Sequence, residues 1–146
     1  MNVYAESSAV VAWLLGEPEA GKVRTVLAAA DVVIAPDLTL VECDRVLIRA
    51  VALAEILDKL ARQRRTRLNT VAAHWNLLRI GGEIIDRARR PFPAEPVRTL
   101  DALHLSAALL ASSALDDFAL LTLDRRIRRA AAELGLQVLP KRLPLD

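Results

Sequence analysis

The chain has 146 residues, 53% apolar and 26% charged but only 3% aromatic, with a formal net charge of +2. That size suits one domain, residues 1–146, with a core of Ala, Leu and Val; the mild basicity permits a nucleic-acid partner without requiring one. The single cysteine, Cys43, excludes an internal disulfide and a cysteine-based zinc site, no apolar run approaches the roughly 18 residues of a membrane span, and no basic-then-apolar leader marks secretion, so a cytoplasmic protein is expected.

Val3-Tyr4-Ala5-Glu6 reads as a short strand ending in a carboxylate, followed by a small-residue turn with Ser8 as helix N-cap and an apolar helix, Ala9 to Leu15. Gly16-Glu17-Pro18 interrupts it, and Pro18 opens a second helix to about Ala30. The β-branched run Asp31 to Ala35 is a second strand. Pro36-Asp37 ends it and starts a third helix, whose core side is set by Leu40, Cys43, Leu47 and Val51 at helical spacing.

A fourth helix spans about Leu53 to Leu68, mixing Leu57, Leu60 and Ala61 with Arg62, Arg64, Arg65 and Arg67. The arginines form either a solvated face or a phosphate-contacting one. Helix resumes from Val71 to about Arg79, Gly81-Gly82 breaks it, Glu83-Ile84-Ile85 is a short strand, and the proline-rich stretch Asp86 to Arg98 is a loop or a broken helical connection. Thr99 caps a helix to about Ser113. Phe118 to Thr122 is a strand, Asp124 to Leu134 a helix with Gly135 at its end, and Gln137 to Leu139 the last strand. Strands alternating with helices imply a mostly parallel sheet with helices on both faces and right-handed crossovers.

In such a sheet the carboxyl ends of all strands share one edge, and so do the helix starts that follow them. Glu6, Glu42, Asp101 and Asp124 all fall on that edge. Each has a plainer role open to it: Glu6, Asp101 and Asp124 as helix-start acids favoured by the dipole, Glu42 as a partner of Arg45 or Arg49 on its own helix. Together they suggest a cation site, because clustered carboxylates raise one another's pKa and a hard divalent ion relieves that repulsion through oxygen ligands. His104, one turn beyond Asp101 in an apolar helix, reads as a packed, hydrogen-bonded residue and not as a ligand. A phosphorylatable receiver or aspartyl phosphatase would need an aspartate at the first strand end and a suitably placed lysine; Lys22, Lys59 and Lys141 do not follow predicted strands in that way.

The segments Val-Tyr-Ala-Glu6-Ser7-Ser8, Leu-Thr-Leu-Val-Glu42, Arg98-Thr-Leu-Asp101-Ala-Leu-His104 and Leu-Leu-Thr122-Leu-Asp124-Arg-Arg resemble the successive acidic motifs of PIN-domain ribonucleases, in order and over nearly the whole chain. The short members of that family are the VapC-type toxins of bacterial toxin–antitoxin pairs. The resemblance implies a three-layer α/β/α sandwich, an acidic pocket binding Mg²⁺ or Mn²⁺, endonucleolytic cleavage of RNA, a homodimer, and a small antitoxin seated in the active-site groove. It assigns metal binding to Glu6, Asp101 and Asp124, and to Glu42 a second ion or the attacking water. Hydroxyls of Ser7, Ser8 and Thr122 would bond the acids or a substrate phosphate; Arg98, Arg125 and Arg126, which flank the acids, either reach RNA phosphates or are solvated or ion-paired surface charges. One departure stands out, since the family's first acid is normally Asp and here it is Glu6. A catalytically weakened PIN-like module that binds RNA or protein without cutting is the alternative that this departure raises.

Overall fold

The computed structural model describes residues 1–144; the last two positions of the expected 1–146 domain lie outside that description. Its strands are β1 (Asn2–Ala5), β2 (Val32–Pro36), β3 (Asn76–Leu78), β4 (Phe118–Leu121) and β5 (Val138–Leu139). The helices are α1 (Ser7–Leu15), α2 (Ala20–Ala29), α3 (Asp37–Ala52), α4 (Asp58–Ala72), α5 (Gly82–Ala88), α6 (Thr99–Ala114) and α7 (Arg125–Glu133). The strands form one all-parallel sheet in the order β3-β2-β1-β4-β5. Among the described residues no helix is long and apolar enough to cross a membrane.

Parallel sheets bury both faces, and the alternation of side chains along a strand sorts these residues into two cores. Val3, Ala5, Val33, Ala35 and Leu121 pack with α1 to α4, around Val10, Leu14, Leu47 and Leu68. Tyr4, Ile34 and Leu120 face the opposite layer, among Ile84, Leu105, Ala108 and Ile127 of α5, α6 and α7. The result is a three-layer α/β/α sandwich. Each fully buried Leu or Ile contributes roughly 1.5–3 kcal/mol, so strands this short are held by their flanking layers more than by their ladders.

Gly16 ends α1 with φ +70 and its N–H turned to the carbonyls of Ala12 and Trp13. No atom lies within 4 Å of the place a Cβ would take, so only the left-handed backbone selects glycine here. Gly16→Ala is expected to lower stability by about 1 kcal/mol in urea unfolding, with the fold unchanged by circular dichroism.

Three expectations are corrected. The stretch read as helix from Val71 to Arg79 holds the end of α4 and then β3; this edge strand is mostly exposed and three residues long, so no alternation marks it. Glu83-Ile84-Ile85 lies in helix α5, where Ile84 is buried and Ile85 faces outward; two adjacent apolar residues cannot distinguish the two periods. The helix expected from Leu53 begins only at Asp58, after a turn in which Ala54 takes φ 56, and Leu57 is 79% exposed instead of in the core.

Candidate active site

After β1, β2 and β3 the sheet continues on the other side of β1, with β4 and then β5. The carboxyl ends of β1 and β4 are therefore the switch point of the sheet, where open α/β folds leave a crevice. Ala5 pairs with Leu121, which brings the next residues, Glu6 and Thr122, side by side although 116 positions separate them. The Glu6 N–H donates to the Leu121 carbonyl at 3.0 Å.

Glu6, not Ser8, is the N-cap of α1; the residue is 3% exposed, and its carboxylate is part of a dense hydroxyl network. Oε1 accepts from Ser7 Oγ at 2.7 Å; Oε2 accepts from the Ser8 N–H at 3.0 Å, from Thr122 Oγ1 at 2.7 Å and from Ser8 Oγ. Ser8 Oγ in turn accepts from the N–H groups of Leu123 and Asp124, at 2.9 and 3.1 Å. The cap of one helix thus fixes the start of another.

Asp124 caps α7, with Oδ1 accepting from the N–H groups of Arg126 and Ile127 at 2.8 and 3.1 Å. Its other oxygen faces Arg126, whose Nη2 lies 3.5 Å away. Asp101 stands in the first turn of α6, 15% exposed, with Arg126 Nε 3.8 Å from its Oδ2. Burial holds the Asp101 carboxyl above its ordinary range, and the negative charges of Asp124 and Glu6 push it the same way, against Arg126 and His104. Glu42, on α3, accepts at Oε1 from His104 Nε2 at 2.5 Å.

These groups surround one cleft of about 480 Å³, whose walls include Glu6, Glu42, Asp101, His104 and Asp124, with Arg98 and Arg126 at its basic side. Ser7 also lines it. Thr122 and Arg125 are not among the lining residues: the Thr122 hydroxyl is spent on Glu6 and on the Asp124 N–H, and Arg125 Nη2 donates to the Pro144 carbonyl at 2.8 Å. His104 is packed and hydrogen-bonded as expected, but it also belongs to the cleft wall. Its position three residues beyond Asp101, on the same helix face, is the signal that could have placed it there. Cys43 is buried, and burial, with Glu42 nearby, pushes its thiol up to about 12, which removes it as a nucleophile.

The donor set is carboxylate oxygen, which suits a hard divalent cation. Among the described residues no three His, Cys, Asp or Glu side chains are already gathered as ligands. Mg²⁺ does not need three, since it keeps several waters and binds through one or two carboxylates. Asp101 and Asp124, both at the cleft and each with an oxygen turned to Arg126, fit that requirement.

The family model for the PIN domain matches residues 3–133. Ribonuclease VapC46 of Mycobacterium tuberculosis is 33% identical over 137 residues, spanning 94% of this chain and 95% of that protein. Among solved structures, a toxin–antitoxin complex from Klebsiella pneumoniae superposes with a TM-score of 0.65 at 16% identity, covering 97% of this chain and 99% of that one. Mycobacterium tuberculosis VapC20, described as a sarcin-ricin loop cleaving toxin, superposes with a TM-score of 0.62 at 12% identity, covering 88% and 94%. At those identities the two structures speak for the fold, while the family model and VapC46 speak for descent. The chain belongs to the PIN-domain family and, within it, to the VapC group.

Proposed function

We propose that the chain is a VapC-type endoribonuclease toxin that hydrolyses RNA phosphodiester bonds with Mg²⁺ or Mn²⁺, acts in the cytoplasm as a homodimer, and is inhibited by a cognate antitoxin. The observation that carries this reading is the gathering of Glu6, Glu42, Asp101 and Asp124 at one cleft on the switch point of the sheet. The kinship with ribonuclease VapC46 supports the RNA substrate, and the likeness to a toxin–antitoxin complex supports the inhibitor.

Asp101 and Asp124 would hold the cation, with Glu6 joining directly or through water. A bound divalent cation supplies Lewis-acid stabilisation of the charge that develops on the phosphoryl group. Glu42 orients the attacking water and accepts its proton as the new P–O bond forms and the 3′ oxygen departs. Arg98 and Arg126 pair with backbone phosphates on either side of the scissile bond, and their guanidinium forks suit those oxygens. Ser7 steadies Glu6 or a substrate phosphate at the same rim. Thr122 acts behind the surface through Glu6, and Arg125 contacts phosphate along the start of α7.

The second reading, a PIN-like module that binds without cutting, is favoured by one observation: the Glu6 oxygens already accept four hydrogen bonds from Ser7, Ser8 and Thr122. Cleavage of a mixed RNA substrate by wild type and Glu6→Asp, with Mg²⁺, with Mn²⁺ and with EDTA, separates the two. The expected result is cation-dependent cleavage by wild type. Inert wild type beside an active Glu6→Asp would establish the binding module instead.

A further inference from the structure

Tyr4 and His104 form a buried pair in the wall beneath the cleft, each at most 1% exposed. Tyr4 turns from β1 toward α6, and His104 meets it from that helix. The Tyr4 hydroxyl lies 3.0 Å from His104 Nδ1, and His104 Nε2 lies 2.5 Å from Glu42 Oε1. One imidazole therefore links β1, α6 and α3. Glu6 Oε1 at 3.9 Å and Ser7 Oγ at 3.4 Å from Nε2 complete its polar surroundings.

Valence gives these two bonds a direction. A carboxylate only accepts, so the nitrogen facing Glu42 carries a hydrogen. A neutral imidazole has one N–H; with it on Nε2, the Nδ1 lone pair must accept, and the Tyr4 hydroxyl donates to it. The opposite tautomer would set a lone pair against the Glu42 carboxylate. It would also strand the phenol hydrogen, which has no other acceptor among the described residues.

We infer that Tyr4 and His104 are positioning residues of this site: the phenol locks His104 as the Nε2–H tautomer, and that N–H fixes Glu42 through Oε1, leaving Oε2 to accept from the attacking water. The inference rests on the ribonuclease reading for its catalytic half and on geometry alone for its tautomer half.

Nitrogen-15 NMR of the histidine-labelled protein, with kinetics on Tyr4→Phe, His104→Gln and His104→Leu, tests both halves. Wild type should show a protonated Nε2 and a bare Nδ1 at His104, and Tyr4→Phe should show a mixture of tautomers. Tyr4→Phe should lose roughly 10–100-fold in kcat, the usual cost of removing a group that orients a catalytic one, with KM unchanged. His104→Gln, which keeps an N–H donor near the Nε2 position, should recover most of the activity that His104→Leu loses. Circular dichroism confirms that each variant folds, and His104→Gln carries the comparison if Tyr4→Phe does not. A protonated Nδ1 in wild type, an unchanged tautomer and kcat in Tyr4→Phe, or equal losses in the Gln and Leu variants would overturn the assignment. A wild type that cleaves no RNA defeats the ribonuclease reading, and the tautomer signals, which need no substrate, then decide the lock by themselves.

Discussion

Asp101→Asn should reduce kcat for RNA cleavage by on the order of 10³-fold, the scale on which preorganised electrostatic groups at a reacting centre act, while making the protein more stable in cation-free buffer. Both effects have one cause. Asp101 shares its cleft with Asp124 and Glu6, and burial plus their charges raise its pKa above the ordinary 3.8. The folded state therefore binds a proton that the unfolded chain has released, and the stability of wild type falls as pH rises from about 3.8 through the raised folded value. Above that window the cost is complete, and Asn removes it. Urea midpoints measured across pH should show Asn ahead at neutrality and level with wild type below about pH 3.8. Added Mg²⁺ should raise the midpoint of wild type more than that of the variant, because a ligand stabilises the state that binds it. Equal midpoints at neutral pH would mean that the acids do not strain the fold.

Glu6→Ala should lower stability by about 3 kcal/mol, one lost helix cap plus buried donors left without an acceptor. The donors are the hydroxyls of Ser7, Ser8 and Thr122 and the Ser8 N–H, and Ser8 also anchors the backbone before α7 through Leu123 and Asp124. Loss of cleavage in this variant would thus include displacement of Asp124. Urea unfolding gives the stability, and amide exchange at Leu123 and Asp124 reports the displacement. A change below 1 kcal/mol would show that water replaces the carboxylate in the network.

Much of this was readable from the residues alone, for physical reasons. β1, β2 and β4 are buried on both faces and so appear as continuous apolar runs; α3 shows its core stripe at helical spacing, while α6, buried on most sides from His104 to Ala108, shows as a long apolar stretch. β3 and α5 were exchanged because one is an exposed edge strand and the other a seven-residue helix that Gly81 caps and Gly82 begins, so the glycine pair opens a helix where it was read as ending one. The late start of α4 had no glycine to announce it, since Ala54 takes the left-handed turn. At the site, the place of Glu6, Asp101 and Asp124 followed from topology, because strand ends and helix starts share an edge. The network around Glu6 did not, for its partner Thr122 is distant in sequence and no periodicity ties them. The Tyr4–His104–Glu42 chain was hidden for the same reason: three elements supply one residue each.

The pairing of the first strand with the fourth also has a temporal side. A nascent polypeptide that has made β1, β2 and β3 possesses Glu6 and Glu42 but lacks Asp101, Asp124 and the Thr122 that completes the Glu6 network. The cleft closes only when residues 118–124 dock beside a strand made at the very beginning of synthesis. A truncated translation product ending before Thr122 therefore lacks Asp124 and the hydroxyl that completes the Glu6 network, so the cleft is a product of nearly the whole chain and of no early portion of it.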